Sequence, residues 1–539
     1  MDRGRVSWAR RPAWHPGPWL AMALVVVGLS GGVPLATLGL LALGDPSEAV
    51  RAMLSTRMVT LLANTVALGL LVALLVGGLG TGLGILLTKT DLAGRRALIV
   101  LLTCPIFVPP YLIALGWFTV LGRQGLVKML LGPLAGVATS DAFFGLPGAV
   151  LVLTVAYTPI VLHLVRVGLG SIDPATEEAA RLRFRWPRII WRIHVPLIAP
   201  AVALGMLLTF VLVVGEFGVP AYLRYPVLSG TVFTQFAAFL DIRAAVVASI
   251  PLGVLVLGGV GTERFWLRRK VQFLGRARTI VVVAPLHGWW IVATSGAWMY
   301  AVIAVGLPLS GLFLQAGGAV NYVRALQGAG ASMVTSLWTA AAAATVIVGV
   351  GILLAYLIER TGRGRRNVVD TVLLLLFAVP GTVLGVALIQ TWNRPGLTYV
   401  YASVAMILIG FVAHYAPFAT RLIGVSLQSI PMSVEEAARV GAGVSWTRMI
   451  RCVLLPILRP SLATAWALAF IFCLRDLDLA MTIHPPGTET LPIRLYTIMA
   501  NSPGSVTAAL AVIMIGLTMA CGLVLGAGLA VARRSSSWS

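Results

Sequence analysis

Apolar residues in this chain gather in runs of 18 or more instead of alternating with polar ones, and each run is closed by charges or by a Pro/Gly cluster. A hydrocarbon core of about 30 Å is crossed by roughly 20 apolar residues in a helix, so each run reads as a transmembrane span. Twelve occur, near residues 18–43, 61–87, 97–121, 147–166, 195–215, 243–260, 289–314, 333–357, 369–392, 400–424, 456–474 and 506–532. The first is long and lacks a small-residue cleavage site before the next charged loop, so it reads as a retained helix and not as a removed signal peptide.

Composition agrees with the pattern. Of 539 residues, 59% are hydrophobic and only 11% charged, with a mean hydropathy of +0.95. Soluble domains carry about 25% charged residues and disordered chains combine low hydrophobicity with high charge, so both classes are excluded. The expected fold is an all-α polytopic membrane protein. The net charge of +22, which in a soluble chain would point to nucleic acid, has a different origin here. If both termini are cytosolic, 30 of the 40 Lys and Arg fall in cytosolic segments and no outer segment holds more than two, which is the positive-inside bias. No nucleic-acid partner is implied. Cys104, Cys452, Cys473 and Cys521 lie far apart, with neither a disulfide framework nor zinc spacing.

The two sets of six spans repeat one another. Tyr157 to Arg181 aligned with Tyr415 to Arg439 gives 12 identities in 25, including Tyr157/Tyr415, Pro159/Pro417 and Glu-Glu-Ala-Ala-Arg against itself. Shifting the offset from 258 to 260 adds Trp186/Trp446, Pro196/Pro456, Pro200/Pro460 and Phe210/Phe470. An even number of spans per copy makes the repeat parallel, related by an axis along the membrane normal. The expected organisation is a first half over residues 1–261, a basic linker over 262–288 and a second half over 289–539.

The most strongly repeated stretch lies in a cytosolic loop of about 30 residues, near 171–200 and again near 429–460, which is long for a chain with tight connections. Glu-Glu-Ala-Ala-Arg has high helix propensity, and its carboxylates lead a first turn after Asp173-Pro174 and Pro431. Each copy predicts a short surface helix on which small alanines permit close approach and acids face a basic partner.

Glu178-Ala179-Ala180 followed by Ile193-His194-Val195-Pro196, and Glu436-Ala437-Ala438 followed by Gly443 and Val453-Leu454-Leu455-Pro456, resemble the EAA loop of the permease subunits of binding-protein-dependent ABC importers. The resemblance covers the whole chain as two fused six-helix halves. It implies a bacterial cytoplasmic (inner) membrane protein whose EAA helices, with Glu177, Glu178, Ala179, Ala180, Glu435, Glu436, Ala437, Ala438 and Gly443, couple to two copies of a separate cytosolic ATPase. It also implies an external, periplasmic or lipid-anchored, substrate-binding protein. The first copy departs from the pattern, with Arg183-Phe184 where the motif glycine would stand. Gly215-Glu216-Phe217-Gly218-Val219-Pro220 and Pro485 to Pro492 are most similar to ferric-iron permeases, with thiamine and phosphonate-type importers as rivals.

The chain has no phosphate-loop sequence and no Gly-Lys pair, so the expectation is a permease that is not an enzyme and holds no cofactor, with ATP bound by its partner. Asp91-Leu92-Ala93-Gly94-Arg95-Arg96, with Gly362 to Arg366 in the second half, resembles a loop of major-facilitator secondary transporters and supports a competing reading.

Helix breaks and buried charge locate an expected pathway. Pro109-Pro110 and Pro380-Gly381 interrupt the third and ninth spans, where freed carbonyls and bends are tolerated if they line a cavity. Glu216 aligns with Asp476, and Asp478 lies beside it. A carboxylate at the end of an apolar helix is paired, solvated or functional. Arg475 pairing with Asp476 or Asp478 is the structural reading, and an outer gate or a ring meeting the cargo is the functional one. These carboxylates with Tyr157 and Tyr415 would suit a hard cation such as Fe(III), but the residues single out no metal site. The loops Tyr222 to Arg243 and His484 to Ser502 are the expected outer docking surfaces.

Overall fold

A computed structural model describes residues 17–42, 46–267, 283–360, 363–442 and 445–536. Among these the regular elements are helices and no β-strand forms. Ten helices are long and apolar enough to cross a membrane, and two further spans are helix pairs bent by 108°, Arg95–Phe107 with Pro110–Leu131 and Asn367–Ala378 with Gly381–Trp392. With each pair taken as one span the total is the expected twelve. Both bends fall at the Pro109-Pro110 and Pro380-Gly381 breaks. Pro109 and Pro380 have extended ψ angles of 137° and 140°, and each lacks the N–H that would continue the ladder, so the chain leaves one helix and starts another.

Two helices exceed their sequence-predicted spans mainly at the N-terminal end. Thr56–Lys89 runs for 34 residues and Ala319–Arg360 for 42. Polar residues such as Thr56, Arg57, Asn321 and Arg324 dilute the hydropathy there, yet the helix persists. In the first copy Ser55 caps it by accepting the Met58 N–H at 3.4 Å.

These long helices pack on the fourth and tenth spans, Leu146–Gly170 and Ala405–Gln428. A Cβ on Gly80 or Gly84 would lie 2.7 or 2.6 Å from the Val161 or Val165 side chain, so glycine is what permits this approach. Without a hydrophobic drive between helices in lipid, such small-residue contacts supply the packing. Gly351 and Ala355 hold the matching positions of the second half, with Gly351 against Ala419 and Thr420. The opposite faces are equally apolar but meet lipid: Val72 is fully buried while Leu74 is 60% exposed.

The halves exchange their outer helices. Ala23, Val27 and Leu38 of the first span and Val246, Ala248 and Leu252 of the sixth join a core built mainly by the second half. Ala304, Val305 and Leu312 of the seventh span and Ala508 to Ile515 of the twelfth join the first-half core. Each core therefore borrows helices from the other half of the sequence.

Candidate functional site

The fifth and eleventh spans, Trp186–Gly215 and Trp446–Arg475, begin with matching π-helical turns, Ile190–His194 and Ile450–Leu454. They end at Glu216 and Asp476, where the backbone turns extended before a short helix resumes. Their C-terminal ends converge with the two broken spans around a cavity of about 130 Å³. Pro109, Pro110, Pro380, Gly381, Glu216, Asp476 and Asp478, chosen separately from the sequence, all line it, together with Tyr111, His414, Tyr415 and Arg475.

The carboxylates are held by a repeated arrangement. The Tyr157 hydroxyl donates to Glu216 Oε2 at 3.1 Å, and the Tyr415 hydroxyl donates to Asp476 Oδ2. Each carboxylate also caps the helix that follows: Glu216 Oε1 accepts from Val219 N at 3.4 Å, and Asp476 Oδ1 accepts from Leu479 N and Ala480 N, both at 3.1 Å. An acid at a helix start satisfies orphan N–H groups and meets the positive end of the dipole. The 260-residue repeat thus extends to hydrogen bonds.

Two charges break the symmetry. Under the same offset Arg475 and Asp478 stand where the first half has Gly215 and Gly218. Asp478 Oδ2 accepts the Phe217 N–H at 3.3 Å, and Arg475 donates to the Ile106 carbonyl in the break of the third span. Both bonds join the second half to first-half backbone. Among the described residues Arg475 forms no ion pair with Asp476 or Asp478, one of the two readings left open above; its guanidinium lies 5.4 Å from the centre of the Phe472 ring. Among the described residues no group of three or more His, Cys, Asp or Glu side chains is arranged to hold a metal ion.

At the opposite end of the bundle the two acids of each Glu-Glu-Ala-Ala stretch separate. In the helix Pro174–Arg181, Glu177 is fully buried, paired with Lys89 at the end of the second span and with His194 Nε2 at 3.0 Å. In the helix Met432–Ala442, Glu435 is buried and takes Arg360 Nε at 2.7 Å and the Tyr356 hydroxyl at 3.2 Å. Glu178, Ala179, Glu436 and Ala437 are exposed, with Ala180 and Ala438 half-buried. Of the residues expected on the coupling helices, Glu177 and Glu435 face inward and are buried in ion pairs. Gly443 lies outside the described residues.

Burial alone would raise the Glu177 carboxyl, but hydrogen bonds from His194 and Lys89 and their charges outweigh it and hold it below the usual carboxylate range. The segment just before the seventh span docks here too. Ala284 N donates to the Lys89 carbonyl at 2.7 Å, and Leu286 N to Asp91 Oδ1 at 3.0 Å. Lys89, Tyr356 and Arg360 belong to no motif in the sequence, and His194 stands out there only within the stretch Ile193 to Pro196. The available signal was that Lys89 and Arg360 are the basic residues closing equivalent spans.

The sequence profile of the binding-protein-dependent transport system inner membrane component family matches twice, over residues 69–261 and 347–532. The chain belongs to this family. It is a multi-pass inner membrane permease of an ABC importer with two family repeats, and the major-facilitator reading is set aside. The permease is 26% identical over 484 residues to a Haemophilus influenzae protein provisionally named ferric transport system permease protein FbpB 1, covering 85% of this chain and 75% of the relative. It is 27% identical over 413 residues to the ferric transport system permease protein FbpB of Actinobacillus pleuropneumoniae, covering 72% and 60%. A second H. influenzae relative, Fe(3+)-transport system permease protein FbpB 2, is 23% identical over 500 residues, covering 90% and 93%.

Proposed function

We propose that this permease imports ferric iron, delivered by an external binding protein and driven by two copies of a separate ATPase. The iron assignment is supported by the names of relatives aligned over most of the chain. The cytosolic reading rests on one observation: in both halves a Glu-Ala triplet is presented outward by a helix whose preceding glutamate is tied to the end of a membrane span. Such a helix transmits force because its anchor is a buried ion pair and its outer face is free for a basic groove.

In this reading residues 1–261 and 289–539 are the two permease halves, 262–288 is a cytosolic linker, and both termini lie in the cytosol. ATP binds only the partner. Glu178 and Glu436 pair with basic groups of the ATPase, while Ala179, Ala180, Ala437 and Ala438 pack closely against it and Gly443 ends the second motif. ATPase closure draws the helices together, and the broken spans rock to open the central cavity. Glu216, Asp476 and Asp478 then meet the passing cation as substrate.

Uptake of radioactive iron into proteoliposomes carrying the permease, its ATPase and internal ATP tests the assignment. Iron uptake that needs the external binding protein supports it. Uptake of thiamine or a phosphonate in place of iron moves the substrate to the rival importers.

A further inference from the structure

Arg181, Arg183, Arg185, Arg188 and Arg192 surround the start of the fifth span, and the stretch from 181 to 192 holds no acid. All five are exposed, and none forms an ion pair among the described residues. Aromatic rings hold three of them instead. The Arg181 guanidinium lies 5.2 Å from the centre of the Trp186 ring, and those of Arg183 and Arg188 lie 5.9 and 5.8 Å from the centre of one Phe184 ring. A guanidinium on a ring face keeps its charge and its N–H edges available. Two cations sharing one ring repel each other, and the stretch brings no anion to offset them.

The patch sits where a span leaves the membrane. The helix Trp186–Gly215 turns Ile189, His194 and Ile198 inward, all fully buried, with His194 on Glu177 at 3.0 Å. Arg188, Trp191, Arg192 and Leu197 lie exposed on the same stretch, Trp191 by 72% and Leu197 by 50%. Just before the span, Leu182 is 91% exposed. Apolar and aromatic side chains among arginines at a span end match the boundary between acyl chains and headgroups, with the ring in the interface and the guanidiniums reaching the phosphates.

The repeat shows that this is a property of one half. Under the 260 offset Arg183, Arg185 and Arg192 stand where the second half has Gly443, Ser445 and Cys452, and only Arg188 is matched by an arginine, Arg448. Trp446, the counterpart of Trp186, is buried against the Tyr356 ring at 5.6 Å and has no arginine over it. A cation excess that came only from orienting the chain would not need to be concentrated in one copy.

We propose that this patch is a binding site for anionic phospholipid: headgroup phosphates bridge Arg183, Arg188 and Arg192, and Trp191 and Leu197 lie against the acyl chains. The inference goes beyond the importer reading, which assigns the neighbouring Glu178 to protein contact and gives these arginines no role. Clustered basic side chains at the end of a span attract an anionic leaflet, and the attraction weakens with salt.

The test uses the full chain in nanodiscs of phosphatidylcholine with or without phosphatidylglycerol. Native mass spectrometry of the released protein should find phosphatidylglycerol retained in preference to phosphatidylcholine. Arg183→Gln with Arg188→Gln and Arg192→Gln should weaken that preference by roughly tenfold or more, since each basic side chain beside an anionic surface contributes several-fold. Lysine at the same three positions should keep most of it, which separates lost charge from lost fold. Arg448→Gln with Arg451→Gln in the second half should leave it unchanged. Trypsin cleavage after Arg183 and Arg185 should slow when phosphatidylglycerol is present and recover at high salt. Phosphatidylglycerol retained in full by the triple glutamine variant, or cleavage equally fast in both lipids, would overturn the inference. Neither readout requires an ATPase or a substrate, so the outcome is independent of the importer reading.

Discussion

The Asp478 carboxylate reaches out of the second half and accepts the backbone N–H of Phe217 in the first, 261 residues earlier in the chain, at 3.3 Å. The equivalent first-half position is Gly218, so the closure is one-sided: the second half supplies charged side chains and the first supplies backbone. A single hydrogen bond contributes about 0.5–1.5 kcal/mol net, enough to shift a two-state population several-fold. Asp478→Ala should therefore raise ATP hydrolysis in the absence of external protein. Hydrolysis as low as wild type would show that this bond does not hold the gate.

The paired tyrosines give a second prediction. Tyr157→Phe and Tyr415→Phe each leave a carboxylate oxygen short of a donor, at a cost of about 1–3 kcal/mol. Both variants should unfold at lower temperature in detergent. A lowered transition in one and not the other would show that the repeated bonds are not equivalent.

On the Glu-Glu-Ala-Ala helices, adjacent glutamates should give opposite phenotypes. Glu177→Ala strands Lys89 in a site where both side chains are at most 2% exposed, and breaking such a pair costs about 3–5 kcal/mol. Lower yield and a lower unfolding temperature are expected. Replacing both Lys89 and Glu177 by Met should recover much of that loss, since an apolar pair avoids the desolvation penalty. Glu178→Ala, on the exposed side, should leave stability intact and reduce ATPase-coupled uptake. Equal destabilisation by Glu177→Ala and Glu178→Ala would contradict the division of roles.

Much of this was legible in the sequence. The twelve spans follow from run length because lipid demands about 20 apolar residues each, and the cavity-lining prolines and acids stood out because both are costly in a membrane. The inward turn of Glu177 and Glu435 was not legible. Two neighbouring glutamates on a short helix look alike until the ends of other spans, Lys89 and Arg360, are placed against one of them. The exchange of outer helices was hidden for the same reason, since a run that is apolar all round names no partner. The partner of Arg475 was left open for a similar reason: sequence proximity offers Asp476 and Asp478, whereas only the folded chain brings up the Ile106 carbonyl at the third-span break.

Acid should loosen the helix Pro174–Arg181. Because the folded Glu177 carboxyl is depressed, its contribution is full above the unfolded carboxylate range and is lost as pH falls through the lower folded value. Proteolytic protection of residues 174–181 should therefore hold at neutral pH and fail in that acidic window, and Glu177→Gln should be less protected at neutral pH. Protection in the wild type that fails instead on raising pH would carry the opposite sign and refute the ion-pair account.

The central claim is that two outward Glu-Ala-Ala surfaces grip a separate ATPase. Purifying the chain from its native membrane in mild detergent, with mass spectrometry of what accompanies it, tests this most directly. The account predicts a phosphate-loop ATPase at about two copies per chain, lost in the double variant Glu178→Arg, Glu436→Arg while the permease stays folded. A monodisperse permease without an ATPase, or an ATPase retained in full by the double variant, would contradict it.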